Sequence, residues 1–187
     1  MIRNIIFDWS GTLVDDLKAV FVSTNFVFKK GGLCTMDLDR FRSEFSLPFD
    51  AFYHRMAPDL SLEQIEQWYK ESFAEEQKKI RVQPHAQMFF DYCKDQGVKS
   101  FLLSTIHPDH YKIQSKLIPF NFDAEYIGIM DKRKRMKEVL EVNQMRPEET
   151  IFIGDMQHDK EAAKEGGVGS CAVLTGYNKR SQLELSE

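Results

Sequence analysis

The chain has 187 residues, 42% of them hydrophobic, which suits one ordinary domain or a core with a small insertion around a sizeable apolar centre. With 25 Lys and Arg against 29 Asp and Glu the formal net charge is -4, so no global positive field favours nucleic acid or an anionic membrane, and any anion must be held locally. No apolar run approaches the roughly 18 residues of a membrane span, the stretch at 5–7 is too brief for a secretory signal, and Cys34, Cys93 and Cys171 form no Cys-x-x-Cys pair, so a cytoplasmic protein with free, mostly buried thiols is expected.

The first run of β-formers, residues 4–7, reads as a buried strand that delivers Asp8 at its carboxyl end. In a parallel sheet that end is where ligands bind. A carboxylate emerging there can attack phosphorus or hold a metal, and Gly11 lets the chain turn tightly around it. Asp8 as a cap of a following helix is the structural alternative.

Residues 17–82 show no strand pattern and contain helix-like stretches at 19–29, 37–45 and 62–79. They read as a helical insertion between core segments 1–16 and 83–187, with Pro84 at a hinge-like exit. A mobile cap and a rigid accessory bundle both fit this composition.

From about residue 84 strand and helix alternate. Strands are predicted at 100–103, 126–129, 151–153 and 172–174, and helices at 85–96, 109–118, 134–143 and 159–165. Such alternation implies parallel strands joined by right-handed crossovers, hence a doubly wound, Rossmann-like α/β sheet. The polar tail from Tyr177 is expected to fray.

Each predicted strand end carries a chemically useful group. Ser104 and Thr105 follow the second strand, where a hydroxyl can donate to a phosphoryl oxygen or cap a helix. Lys132 follows the third and can neutralise a bound phosphoryl group, although Arg133, Lys134, Arg135 and Lys137 beside it read as a solvated helix turn. After the fourth strand Asp155 and Asp159 can face one hard cation, Asp155 directly and Asp159 directly or through water; Mg2+ suits the all-oxygen donors, and His158 reads as pointing to solvent.

Taken together, Asp8-Trp9-Ser10-Gly11-Thr12, Ser104, Lys132 and Gly154-Asp155-x-x-x-Asp159 resemble the four motifs of the haloacid dehalogenase-like hydrolase superfamily. The resemblance spans nearly the whole chain. The insertion after the first motif, with Asp15 leading into it, is similar to the subgroup with a C1-type helical cap, as in phosphoglycolate phosphatase-like proteins. It implies an α/β core of residues 1–16 and 83–187, a cap of residues 17–82, and Mg2+-dependent hydrolysis of a small phosphorylated metabolite by a monomer or homodimer. It also implies roles: Asp8 as nucleophile; Asp8, the Ser10 carbonyl, Asp155 and Asp159 at the metal; Gly11, Ser104, Thr105 and Lys132 at the phosphate; Thr12 in support of the loop. The segment 42–48 sits where related caps place a substrate loop, so Arg42 is expected to meet a substrate carboxylate, or to be an ordinary exposed arginine, and His54 and Tyr53 are expected near the leaving group if the cap closes.

One position departs from the pattern. Phosphatases of the superfamily carry an acid/base aspartate two residues after the nucleophile, and here it is Ser10. A serine hydroxyl has no proton equilibrium near neutrality, and loss of acid–base help costs about 10² to 10⁴ in rate. Two alternatives therefore stay open: a catalytically impaired phosphate-binding or regulatory protein, and a phosphonatase-like C–P hydrolase using Lys29 or Lys30 as an imine former.

Overall fold

The computed structural model describes residues 1–118 and 120–184. Its strands are β1 (Asn4–Phe7), β2 (Val14–Asp15), β3 (Arg81–Val82), β4 (Lys99–Leu103), β5 (Ala124–Tyr126), β6 (Thr150–Gly154) and β7 (Gly169–Ala172). Five of them hydrogen-bond into one parallel sheet in the order β5-β4-β1-β6-β7, the α/β arrangement expected from the alternating pattern. All four residues of β1 are buried, as its central place requires.

Successive side chains of a strand point to opposite faces, and β1 uses both. Ile6 packs with Phe101, Leu103 and Phe152 against Met136, Val139, Leu140, Ala162 and Ala163, which come from α7 (Lys132–Val142) and α8 (Gln157–Gly166). On the other face Phe7 meets Phe90 of α5 (Ala86–Asp95), with ring centroids 5.7 Å apart, and Phe90 in turn meets Phe120 and Phe122. Trp9, fully buried, stacks edge-on against Tyr111 of α6 (Pro108–Leu117) at 5.0 Å. Helices thus cover both faces, and only the strand ends are left for chemistry.

The chain divides into two compact units, residues 1–15 with 81–187, and residues 16–80. The second unit is helical: α1 (Leu17–Lys30), α2 (Leu38–Glu44), α3 (Phe49–Met56) and α4 (Leu62–Glu76). Asp37 caps α2 by accepting from the Arg40 N–H at 2.7 Å, and Ser61 with Gln64 forms a reciprocal capping box on α4. Its core is aromatic. Phe52 packs against Phe28, Phe41, Phe45 and Tyr53, with ring centroids 5.1 to 6.3 Å apart.

Several local expectations need correction. The strand expected at 126–129 is β5 at Ala124–Tyr126, because the ladder with β4 ends at the Leu103–Tyr126 pair. The one expected at 172–174 is β7 at Gly169–Ala172, an exposed edge whose Gly-Ser-Cys-Ala sequence carries no apolar run. β2 and β3, which pair Val14 with Val82 and Asp15 with Arg81, are too short to leave a periodic signal. The sequence reading also passed over α3. Cys93 is buried, but Cys34 and Cys171 are exposed. The tail does not fray from Tyr177: Tyr177 and Asn178 are buried, and α9 (Arg180–Glu184) follows.

Candidate active site

β1 and β6 run in register, Phe7 beside Ile153, so Asp8 and Gly154-Asp155 leave the sheet side by side. The Asp8 N–H donates to the Ile153 carbonyl at 2.9 Å, extending the ladder one step beyond the strand. α7 begins at Lys132 with Asp131 as its cap, two residues earlier than its charge pattern suggests, and this first turn carries the Lys132 ammonium inward.

Lys132 Nζ lies 2.7 Å from Asp8 Oδ1 and 2.7 Å from Asp159 Oδ1, with its side chain wholly buried. The Phe152 ring lies 5.5 Å from Nζ. Burial alone would lower the Lys132 pKa, but the charges of Asp159 and Asp8 outweigh it and raise it, so the ammonium keeps its proton. The other Asp159 oxygen, Oδ2, accepts the Met156 N–H at 3.0 Å.

Asp155 is held from two sides. Thr12 Oγ1 donates to its Oδ1 at 3.3 Å and the Tyr177 N–H to its Oδ2 at 2.6 Å. Burial, reinforced by Asp8 and Asp159, holds its carboxyl well above the ordinary range. Burial likewise is the main cause that pushes Asp8 up to about 6, with Asp159 adding and Lys132 opposing. One carboxylate oxygen from each of Asp8, Asp155 and Asp159 lies within 4.8 Å of the other two.

Three buried carboxyl groups around one ammonium would, if all were ionised, leave an excess of negative charge in a dry site. Such an excess is costly unless a cation offsets it. All the donors are oxygen, the chemistry of Mg2+ rather than of zinc or copper. The set therefore fits a hard divalent ion.

Asp8, Thr12, Lys132, Asp155 and Asp159 are joined by the contacts above. Gly11 belongs with them: its φ of 73° lies in the left-handed region, and a Cβ there would stand 2.7 Å from Asp155 Oδ2. Half-buried Ser10 bridges to Val14 through the backbone. Ser104, buried at the end of β4, accepts the Ile106 N–H on its hydroxyl oxygen at 3.2 Å, which leaves the hydroxyl proton to donate, and Thr105 follows it half-buried. Arg42 and His54 lie in the second unit, Arg42 half-buried on α2 and His54 exposed on α3. Tyr53 is buried in that unit with its hydroxyl 3.4 Å from Thr24 Oγ1 and its pKa pushed up to about 12 by burial. Lys30, one of the two lysines considered for an imine, pairs with Glu71 at 2.9 Å.

His158 overturns its sequence reading. It is buried, and its Nε2 accepts the main-chain N–H of Lys132 at 3.2 Å. Burial, then the Lys132 charge, lowers its pKa, so the ring stays neutral with the proton on Nδ1. Other contributors left no signal in the sequence. Thr175 Oγ1 donates to the Gly11 carbonyl at 2.7 Å, Gln83 Nε2 reaches the carbonyls of Gly11 and Thr175 at 3.4 and 3.2 Å, and Trp9 Nε1 donates to Gln114 Oε1 at 2.7 Å.

Comparison with known proteins agrees with this geometry. Residues 5–173 match the family described as haloacid dehalogenase-like hydrolase. A phosphoglycolate phosphatase of Pseudomonas putida is 24% identical over 193 residues, covering 94% of this chain and 71% of its own length. Among solved structures, a haloacid dehalogenase-like hydrolase of Streptococcus pneumoniae superposes with a TM-score of 0.84 at 23% identity, over 100% of this chain and 91% of that one. CbbY from Rhodobacter sphaeroides, in complex with phosphate, does so with a TM-score of 0.78 at 19% identity, over 96% and 89%. With a family match that spans most of its length, the chain belongs to the haloacid dehalogenase-like hydrolases.

Proposed function

We propose that this protein is a Mg2+-dependent phosphatase of a small phosphorylated metabolite, acting in the cytoplasm through an aspartyl-phosphate on Asp8. The observation that carries the reading is the buried group of Asp8, Asp155 and Asp159 around Lys132 at the carboxyl end of the central strand. Mg2+ would be held by Asp8, the Ser10 carbonyl and Asp155, with Asp159 direct or through water. When bound it supplies charge neutralisation at the transferring phosphoryl group.

The chain's own residues divide the remaining work. Asp8 attacks phosphorus in line with the bond to the leaving oxygen, which breaks as the new bond forms, and the leaving oxygen takes its proton from water, from the substrate or from a cap residue because Ser10 offers none. Lys132 and the Ser104 hydroxyl stabilise the charge on the transferring oxygens, with Thr105 and Gly11 lining their side. Thr12 holds Asp155. Water then attacks the acyl phosphate, releasing phosphate and regenerating Asp8. In this reading residues 17–82 form the cap, and Arg42 and His54 are its substrate-facing groups; the name of the Pseudomonas putida relative favours a small phosphorylated acid as substrate.

Ser10 supports a second reading, a phosphate-binding regulatory protein with slow turnover. A panel of phosphorylated metabolites and phosphonates, assayed with Mg2+ and with EDTA, separates the two. Mg2+-dependent release of phosphate from at least one natural ester is expected. Tight Mg2+-dependent binding of phosphate analogues with no hydrolysis across the panel would favour the regulatory reading.

A further inference from the structure

The segment that follows the last strand touches every loop of the acidic cluster, although it contributes none of the family motifs. Val173 N–H donates to the Gly154 carbonyl at 2.9 Å, continuing the β6–β7 ladder to the point where the chain leaves the sheet. Thr175 then donates through Oγ1 to the Gly11 carbonyl at 2.7 Å, which ties the segment to the turn after β1. Gln83 Nε2 lies across the same junction, reaching both the Gly11 and Thr175 carbonyls. Gly176 packs so closely on Asp155 that a Cβ there would collide with Asp155 Oδ2, and the turn at Gly11 packs on the same glycine, its Cβ position lying 2.8 Å from the Gly176 Cα. Tyr177 donates its N–H to Asp155 Oδ2 at 2.6 Å. Finally, buried Asn178 accepts the Gln157 N–H on Oδ1 at 2.7 Å, at the first turn of the helix that bears Asp159.

We infer that Thr175–Asn178 is a strap that positions the metal carboxylates: Tyr177 N–H and the missing Cβ of Gly176 orient Asp155, Thr175 fixes the Gly11 turn against it, and Asn178 fixes the turn before Asp159. The contacts form a chain from one loop to the next, so loosening either end lets Asp155 rotate away from Asp8. The Tyr177 N–H is one bond removed from the metal, and loss of such a partner changes metal affinity by roughly tenfold to hundredfold; Thr175 and Asn178 act one contact further out, toward the lower end of that range. They act through the carboxylates and touch neither substrate nor ion.

This inference rests on the metal reading proposed above, and its test keeps the two apart. Mg2+ is titrated calorimetrically into wild type, Thr175→Val, Thr175→Ser, Asn178→Ala, Asn178→Asp and Gly176→Ala, with the unfolding midpoint of each measured in EDTA. Thr175→Val and Asn178→Ala are expected to bind Mg2+ roughly tenfold or more weakly. Thr175→Ser and Asn178→Asp restore the lost donor or acceptor and are expected to return affinity toward wild type, while loss of affinity in Thr175→Val and Asn178→Ala that exceeds any fall in the EDTA unfolding midpoint separates positioning from general destabilisation. Gly176→Ala should bind weakest; if it does not fold, the paired substitutions at 175 and 178 decide the matter. Affinities of Thr175→Val and Asn178→Ala within twofold of a wild type that binds Mg2+ would overturn the strap alone. A wild type that takes up no Mg2+ overturns the metal reading and the strap with it.

Discussion

The main-chain N–H of Lys132 donates to Nε2 of His158 at 3.2 Å, so the residue before Asp159 anchors the first turn of the helix that carries the lysine. A first-turn N–H has no partner within its own helix and must find one elsewhere. His158→Leu removes that partner inside a buried site and is expected to cost about 1–3 kcal/mol of stability. His158→Gln, whose Oε1 reaches the same place, should recover most of the loss. Denaturant unfolding of the two variants measures the difference; equal stability would mean that the contact contributes nothing.

Lys132 is the only cation in contact with Asp8 and Asp159 among the described residues. Lys132→Met therefore leaves two buried carboxylates without a counter-charge, a change worth about 3–5 kcal/mol in the metal-free protein. Urea unfolding in EDTA checks this. Saturating Mg2+ should give back part of the loss while turnover stays low, because the charge on the transferring oxygens still lacks its ammonium.

The pH dependence follows from Asp8, whose carboxyl burial pushes up from 3.8 to about 6. A folded value above the unfolded one means that stability from this group is full below 3.8 and is lost as the pH rises through about 6. In EDTA, Asp8→Asn should thus be more stable than wild type at about pH 7 and should lose that advantage at about pH 4. Mg2+ competes with the proton for the carboxylate, so its apparent affinity should climb across the same interval. A flat Mg2+ affinity from about pH 4 to about pH 7 would contradict the assignment of Asp8 to the metal site.

Ser10→Asp tests the missing acid/base group. The substitution is expected to raise turnover of a poor leaving group by about 10² to 10⁴ and to do much less for an aryl phosphate, which needs no proton on departure. No gain with either substrate would mean that another group already supplies the proton.

Much of this was legible in the sequence because it depends on short, local patterns. β1, β4 and β6 contain apolar runs, and each strand is followed directly by a polar residue that the parallel sheet carries to the same rim, so Asp8, Ser104 and Asp155 stand out in the sequence. Lys132 stands near a strand end in the sequence, but its burial depends on α7 starting two residues early under the Asp131 cap. His158 reads as solvent-facing in the sequence and Thr175–Asn178 carries no signal there, because both act through contacts with main-chain groups far away along the chain, which no local pattern announces. β7 escaped correct placement because a short edge strand needs no apolar alternation.

The most direct test of the account is the rate at which Asp8→Asn hydrolyses an aryl phosphate in Mg2+, compared with wild type. The amide keeps the size of the side chain but lacks the nucleophilic oxygen, and hydrolysis is predicted to vanish. Turnover at the wild-type rate would contradict the central role given to Asp8.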